Sequence, residues 1–231
     1  TRSSGVAPLT VTFDASGTTA ASITSLPFHN LRYRWDYGDE TVSTWTYGSR
    51  ASLLKNISHG PIGSHCYETA GTYTVRLDVD YIYSNGVVDS TSTTQTVTVS
   101  DPYTVFSGTN TIVFSTAGTF TGKPTGAQEV TLSDYGTAIS TYKATGKRLL
   151  FRKGETFTAA TAPDMDVNGP WTIGAFGTGA RPVFRGPTGS YAIGLSNNNT
   201  AGISDGRLMD LDIDGQSSHD REGISAGGGI D

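Results

Sequence analysis

Leu31-Arg32-Tyr33-Arg34-Trp35-Asp36-Tyr37-Gly38-Asp39 decides how the first half of the chain folds. Leu31, Tyr33 and Trp35 alternate with Arg32, Arg34 and Asp36, the period of a strand with one buried face. Gly38 then opens a turn, with Asp36 and Asp39 on either side of it. Carboxylates at such positions accept backbone N–H bonds. Working outward, Leu9-Thr10-Val11-Thr12-Phe13 alternates in the same way and stops at Asp14-Ala15-Ser16-Gly17. Downstream, Tyr73, Val75, Leu77 and Val79 form a third series. Asn85-Gly86 then stands between Tyr81-Ile82-Tyr83-Ser84 and Val87-Val88, a strong hairpin signal because both turn residues need positive φ. Thr96 to Val99 supplies a last strand. Short strands at regular spacing, punctuated by turns, predict a β-sandwich.

Composition agrees. Only 16% of the 231 residues are charged, 35% are hydrophobic, and 29 are glycine. This suits short strands and tight turns, not helical bundles. The formal net charge of −5 comes with no basic stripe, so no nucleic-acid partner is expected. No apolar run approaches the roughly 18 residues that span a bilayer. The lone cysteine, Cys66, leaves no intrachain disulfide, so each module must rest on its own core. The opening Thr1-Arg2-Ser3-Ser4 and the close at Ile230-Asp231 lead us to expect a piece of a longer protein. The glycosylation-type triplets Asn56-Ile57-Ser58 and Asn198-Asn199-Thr200 read as incidental in Ser/Thr-rich sequence.

Three phrases of the first half resemble the PKD domain family. They are Gly5-Val6-Ala7-Pro8-Leu9-Thr10-Val11-Thr12-Phe13-Asp14-Ala15, Trp35-Asp36-Tyr37-Gly38-Asp39, and His65-Cys66-Tyr67 followed by Ala70-Gly71-Thr72-Tyr73-Thr74-Val75. Glu40 departs from the family's usual Gly, and the strand that usually precedes the opening phrase is absent or cut off. The resemblance implies an immunoglobulin-like sandwich over residues 1–100. Trp35 is then the plug between the sheets. Tyr73 is expected as a buried ring whose hydroxyl ties a strand end to a corner.

Ser100-Asp101-Pro102-Tyr103 reads as a linker, at 101–103, because Pro102 disfavours strand continuation. Beyond it, Ile112-Val113-Phe114 and Gly118-Thr119-Phe120 alternate. A short helix follows, capped by Ser133 or Asp134, with Tyr135, Ala138, Ile139 and Tyr142 on one face. Gly146 is expected as its left-handed C-terminal cap and Lys143 suits its last turn. Short segments come next: Arg148–Arg152, Trp171–Phe176, Pro182–Phe184, Tyr191–Leu195 and Gly206–Gly215. The helix followed by Lys147-Arg148-Leu149-Leu150-Phe151-Arg152-Lys153-Gly154-Glu155-Thr156-Phe157 resembles the entry into pectate-lyase-like right-handed parallel β-helices. Ile173-Gly174-Ala175-Phe176-Gly177 and Arg207–Gly215 look like first rungs. The implied fold is all-β: a PKD sandwich, then at 104–231 the start of a right-handed parallel β-helix with a short capping helix.

The sharpest chemical feature is Asp210, Asp212 and Asp214, which on one continuous strand share a face opposite Leu211 and Ile213. Such carboxylates suit calcium or the acid–base chemistry of glycoside cleavage; a solvated strand face is the plainer reading. Asp36 and Asp39 are candidate calcium ligands, too few by themselves to define a site, and calcium is the one cofactor the residues suggest. Trp45 and Tyr47, on the long Glu40–Ser64 connection, are candidate sugar-stacking rings, with packing down on the sandwich the plainer reading. His59, His65 and Cys66 match no metal spacing. His219-Asp220-Arg221-Glu222 is a weak cluster, and Asn197-Asn198-Asn199 reads as a turn. There is no nucleophile elbow, phosphate loop or zinc pattern.

Three functions are left open. One is an extracellular, cell-surface or virion-surface fibre or adhesin that recognises polysaccharide. Another is a polysaccharide lyase or glycoside hydrolase whose site lies mostly past residue 231. The third is a purely structural component that partners other subunits of an assembly.

Overall fold

A computed structural model describes residues 2–19, 30–39, 54–82, 88–196, 204–214 and 224–227. The chain is mostly β and divides into two compact units, Thr1–Asp101 and Pro102–Asp231.

The first unit holds β1 (Ser4–Val6), β2 (Leu9–Asp14), β3 (Arg32–Asp36), β4 (Ile57–His59), β5 (Ile62–Tyr67), β6 (Gly71–Ile82) and β7 (Val88–Ser100). One sheet has the order β1-β7-β6-β3-β4, and β2 pairs with β5 in a second. All pairs are antiparallel except β1 with β7, which are parallel. In β2, Leu9, Val11 and Phe13 are buried and the residues between them exposed, as the alternation requires. With Tyr33, Trp35, Val75, Leu77, Val97 and others they form one core. Trp35 is the expected plug: its ring lies 5.4 Å from Phe13, and its Nε1 donates to the Gly60 carbonyl at 2.9 Å. The last two strands are longer than the alternation indicated, pairing one to one from Ile82↔Val88 to Gly71↔Val99. Asn85-Gly86 lies outside the described residues.

Tyr73 departs from expectation. Its hydroxyl does reach back to the Thr69 carbonyl at 2.7 Å, yet its ring is only half-buried. The fully buried ring is Tyr67, whose hydroxyl donates to the Tyr37 carbonyl at 3.0 Å. Tyr73 starts a strand near the edge of the core, whereas Tyr67 lies beneath the turn at Gly38.

The second unit opens with α1 (Pro102–Val105), where a linker was expected. A ring that forbids strand pairing is well tolerated in a first helical turn. Its strands are β8 (Thr111–Ser115), β9 (Gln128–Thr131), β10 (Lys147–Arg152), β11 (Thr156–Thr158), β12 (Trp171–Phe176), β13 (Val183–Arg185), β14 (Ile193–Ser196), β15 (Gly206–Leu208), β16 (Asp212–Asp214) and β17 (Ile224–Gly227). Three sheets result, in the orders β15-β12-β10-β8-β9, β11-β13-β16 and β14-β17, and every pairing among the described residues is parallel. The chain visits the sheets in turn, β10 then β11, β12 then β13 then β14, β15 then β16 then β17. Equivalent residues therefore stack: Ile112 beside Leu149 beside Ile173 beside Leu208, and Phe157 beside Phe184 beside Ile213.

Three expectations fail here for physical reasons. β8 does not alternate, because both its faces are covered; all five residues are buried, as parallel strands commonly are. Gly118-Thr119-Phe120 forms no strand but a turn over that outer face, where Phe120 packs with Val113, Leu150 and Phe176. The helix α2 (Tyr135–Tyr142) forms, with the Asp134 side chain accepting from Thr137 N at 3.0 Å, but Gly146 is not its cap. Lys143 caps it in extended conformation, and Gly146, at φ 79, serves the Ala144–Lys147 turn into β10.

Candidate functional site

The Trp35–Asp39 phrase builds the most densely bonded polar site of the first unit. Asp36 Oδ1 accepts from Gly38 N at 3.1 Å, closing the turn. Gly38 sits at φ 70, and a Cβ there would run into the Thr74 carbonyl, so only glycine fits. The turn carries Asp39 to His65 on β5, with Oδ2 and Nε2 2.7 Å apart and both side chains largely buried. His65 is held between aromatic rings: Tyr37 stacks on it at 4.6 Å and Tyr67 meets it edge-on at 4.7 Å. Tyr67 in turn lies 4.5 Å from Tyr73. Burial pushes the Tyr67 phenol well above its ordinary value, and the negative charge of Asp39 adds to that. Burial raises Tyr37 and Tyr73 as well.

Beside this cluster lies a cleft of about 350 Å³ bounded by Asp39, Lys55, His65, Glu68 and Tyr73. It offers the Tyr73 phenol, the His65 imidazole, charges of both signs and hydrogen-bonding groups, the inventory that suits a small polar ligand. As calcium ligands, Asp36 and Asp39 have other commitments, one to Gly38 N and one to His65. Among the described residues no three His, Cys, Asp or Glu side chains converge on a common point. Cys66 is exposed at the rim.

In the second unit the acidic run is not one strand. β15 ends at Leu208 and β16 begins at Asp212; between them Asp210 turns the corner at φ 56. The single face expected for Asp210, Asp212 and Asp214 is therefore broken. Asp212 and Asp214 share a strand, and Asp210 sits before it. Leu211 keeps its inward role, half-buried against the core with Ile213 beside it on β16.

Each carboxylate meets a cation from an earlier segment of the chain. Asp210 lies 3.4 Å from Lys153 Nζ and 3.9 Å from Arg181 Nε. Asp212 lies 3.7 Å from Arg181 Nη1, and Asp214 3.1 Å from Arg185 Nε. The Arg185–Asp214 contact follows directly from register, because those residues are opposite each other on β13 and β16. Lys153, Arg181 and Arg185 were not legible as site residues. Their meaning depends on which coil lies beside which. A second carboxylate staple was equally hidden: Glu155 accepts from Ser115 Oγ at 2.9 Å and from Thr116 N at 2.6 Å.

Trp45, Tyr47, Asn197–Asn199 and His219–Glu222 lie outside the described residues. Among the described residues, no helix is long and apolar enough to cross a membrane.

Comparison with known proteins gives one finding. Residues 2–99 match the family model of the PKD domain. Searches of curated proteins and of solved structures returned no match.

Proposed function

We propose that this chain is part of an extracellular, cell-surface or virion-surface protein of fibre or adhesin type that recognises surface polysaccharide. The PKD domain would be its spacer or binding module, and residues 102–231 the first rungs of a right-handed parallel β-helix serving as a rigid rod. The observation that carries this reading is the stacking of coils in parallel register, Ile112 to Leu149 to Ile173 to Leu208. Each coil buries its apolar side on the one before, so such a body grows along one axis and holds its ends apart. PKD domains typically occur in extracellular or surface proteins, as adhesion or spacer modules, and this supports the location.

For glycan binding the candidates are Trp45 and Tyr47, with the cleft at Asp39, His65 and Tyr73 beside them in role. Aromatic faces stack on sugar rings and carboxylates bond their hydroxyls. Asp210, Asp212 and Asp214 are assigned to the surface rather than to chemistry. Glycoside cleavage needs one carboxyl kept protonated beside a free carboxylate, and each of these three is drawn to a cation.

A polysaccharide array probed with the labelled chain tests the reading. Retention on one class of glycan, lost on Trp45→Ala with Tyr47→Ala, is the expected result. Retention on no glycan at all would leave only the structural role. New reducing or unsaturated ends on incubation with the bound glycan would instead establish the enzyme.

A further inference from the structure

The outer edge of β7 is the longest unguarded strand edge among the described residues. β1 pairs with β7 only at Thr98, Val99 and Ser100. From Asp89 to Thr96 the strand is held by β6 on one side, no described strand lies on the other, and all eight residues are exposed. Strand parity shows which groups face the open side. Thr98 N donates to Ser3 O and Ser100 O accepts from Ala7 N, so the even-numbered residues turn their backbone outward. Ser90, Ser92, Thr94 and Thr96 therefore present N–H and C=O groups at the edge, while Thr91, Thr93 and Gln95 bond to β6.

Natural sheets blunt such edges with charge, proline, bulges or brevity. From Ser90 to Thr96 β7 has none of these: its pairing with β6 is continuous, and the one charged residue from Val88 to Ser100 is Asp89, at the start of the open stretch. No other edge strand among the described residues exceeds six residues.

We infer that this edge is an interface with a second copy of the chain, β7 pairing antiparallel with β7 across a twofold axis near Thr93. That arrangement sets Ser90 opposite Thr96 and Ser92 opposite Thr94, each with its backbone already turned outward. Thr and Ser pairs directly opposite one another are favourable cross-strand neighbours. Antiparallel pairing also keeps the two Asp89 carboxylates about 27 Å apart, whereas parallel pairing would set them side by side. Strand β1 stops the added strand where it reaches Thr98. On the inward side a cleft of about 590 Å³, bounded by Asp14, Thr18, Thr93 and Gln95, leaves room for the partner's Thr91, Thr93 and Gln95. The edge carries only Ser, Thr and Gln over these positions, so self-complementarity, not an anchored apolar side chain, sets its specificity. The inference is independent of polysaccharide recognition.

Sedimentation of the full chain from micromolar to near-millimolar concentration tests it. A concentration-dependent dimer is expected. Thr94→Pro removes one outward N–H without touching the β6 ladder, and Ser92→Lys adds the charge that natural edges carry. Each should weaken association on the order of tenfold or more, with circular dichroism unchanged. In the dimer, amide exchange at Ser92 and Thr94 should slow, while Thr93 and Gln95 remain as protected as in dilute solution. A chain that stays monomeric throughout, or a dimer indifferent to both substitutions, overturns the inference.

Discussion

The two units bury their strands in opposite ways. In the first, antiparallel strands show one face to the core, so β2 reads buried, exposed, buried, exposed along its length. In the second, the central parallel strands of the five-stranded sheet are covered on both faces, and β8 and the middle of β10 read as unbroken buried runs, whereas β11 still alternates. The first unit ties its core with hydroxyl and indole bonds to carbonyls at turns, as at Tyr67 and Trp35. The second stacks like on like, with Phe114 4.8 Å from Phe151 and Phe184 4.3 Å from Tyr135. A sandwich core is thus fixed by a few corner bonds around a plug. A core of parallel strands in matched register is fixed by like residues lying side by side, so loss on one strand should be felt by the strands on each side.

Removing the plug is the hardest blow to the first unit. Trp35→Ala should cost about 3–5 kcal/mol through the cavity and the lost bond to Gly60. Chemical denaturation followed by circular dichroism checks it, and a loss below about 1 kcal/mol would show that the plug is not what holds the sandwich. Phe184→Ala, in the stack with Tyr135, Phe151 and Phe157, should cost about 3–4 kcal/mol. If stacking works by rung, hydrogen exchange should quicken in β11 and β16 on both sides of it. A change confined to β13 would show that each strand rests on its own contacts alone.

Tyr67→Phe is a smaller test with a pH signature. At neutral pH it should cost about 1–2 kcal/mol, for the hydrogen bond to Tyr37 O. The folded state raises the Tyr67 phenol. Its contribution is therefore complete below the unfolded value of about 10 and is lost as pH rises above it. The variant should lose less stability than the parent between neutral and strongly alkaline pH, as thermal melts across that range will show. The smallest effect belongs to the exposed ladder. Arg185→Ala should change stability by less than about 1 kcal/mol, because the Arg185–Asp214 pair is half-exposed and screened. A larger, salt-insensitive loss would mean that the ladder, not the stack, holds β13 and β16 together.

The same contrast governs what could be read in advance. Leu9–Phe13, Leu31–Trp35 and Tyr73–Val79 declare their inward face by period two, and the phrase at Trp35–Asp39 carries its own turn. The second unit has no such signal. The intervals separating Ile112, Leu149, Ile173 and Leu208 are unequal, so no fixed repeat appears in the residues. β9 and the corner at Asp210 were invisible for this reason. An aspartate at a left-handed corner and an aspartate on a strand look alike until the neighbouring coil is known. The Asp39–His65 bond was hidden differently, since both residues already belonged to recognisable phrases and nothing in either phrase says that they touch.

Trp171 is buried at the start of β12, its Nε1 bonded to the Val167 carbonyl at 2.9 Å, and Gly206 passes where any side chain would strike the indole. Trp35 is buried in the other unit. With Trp45 they are the three indoles of the chain. Each unit thus contains its own intrinsic fluorophore, shielded from quenchers for as long as that unit is folded. Replacing Trp45 and either partner by Phe leaves a single indole, and, excited beyond the tyrosine band, the red shift of its spectrum dates the opening of one unit without any label.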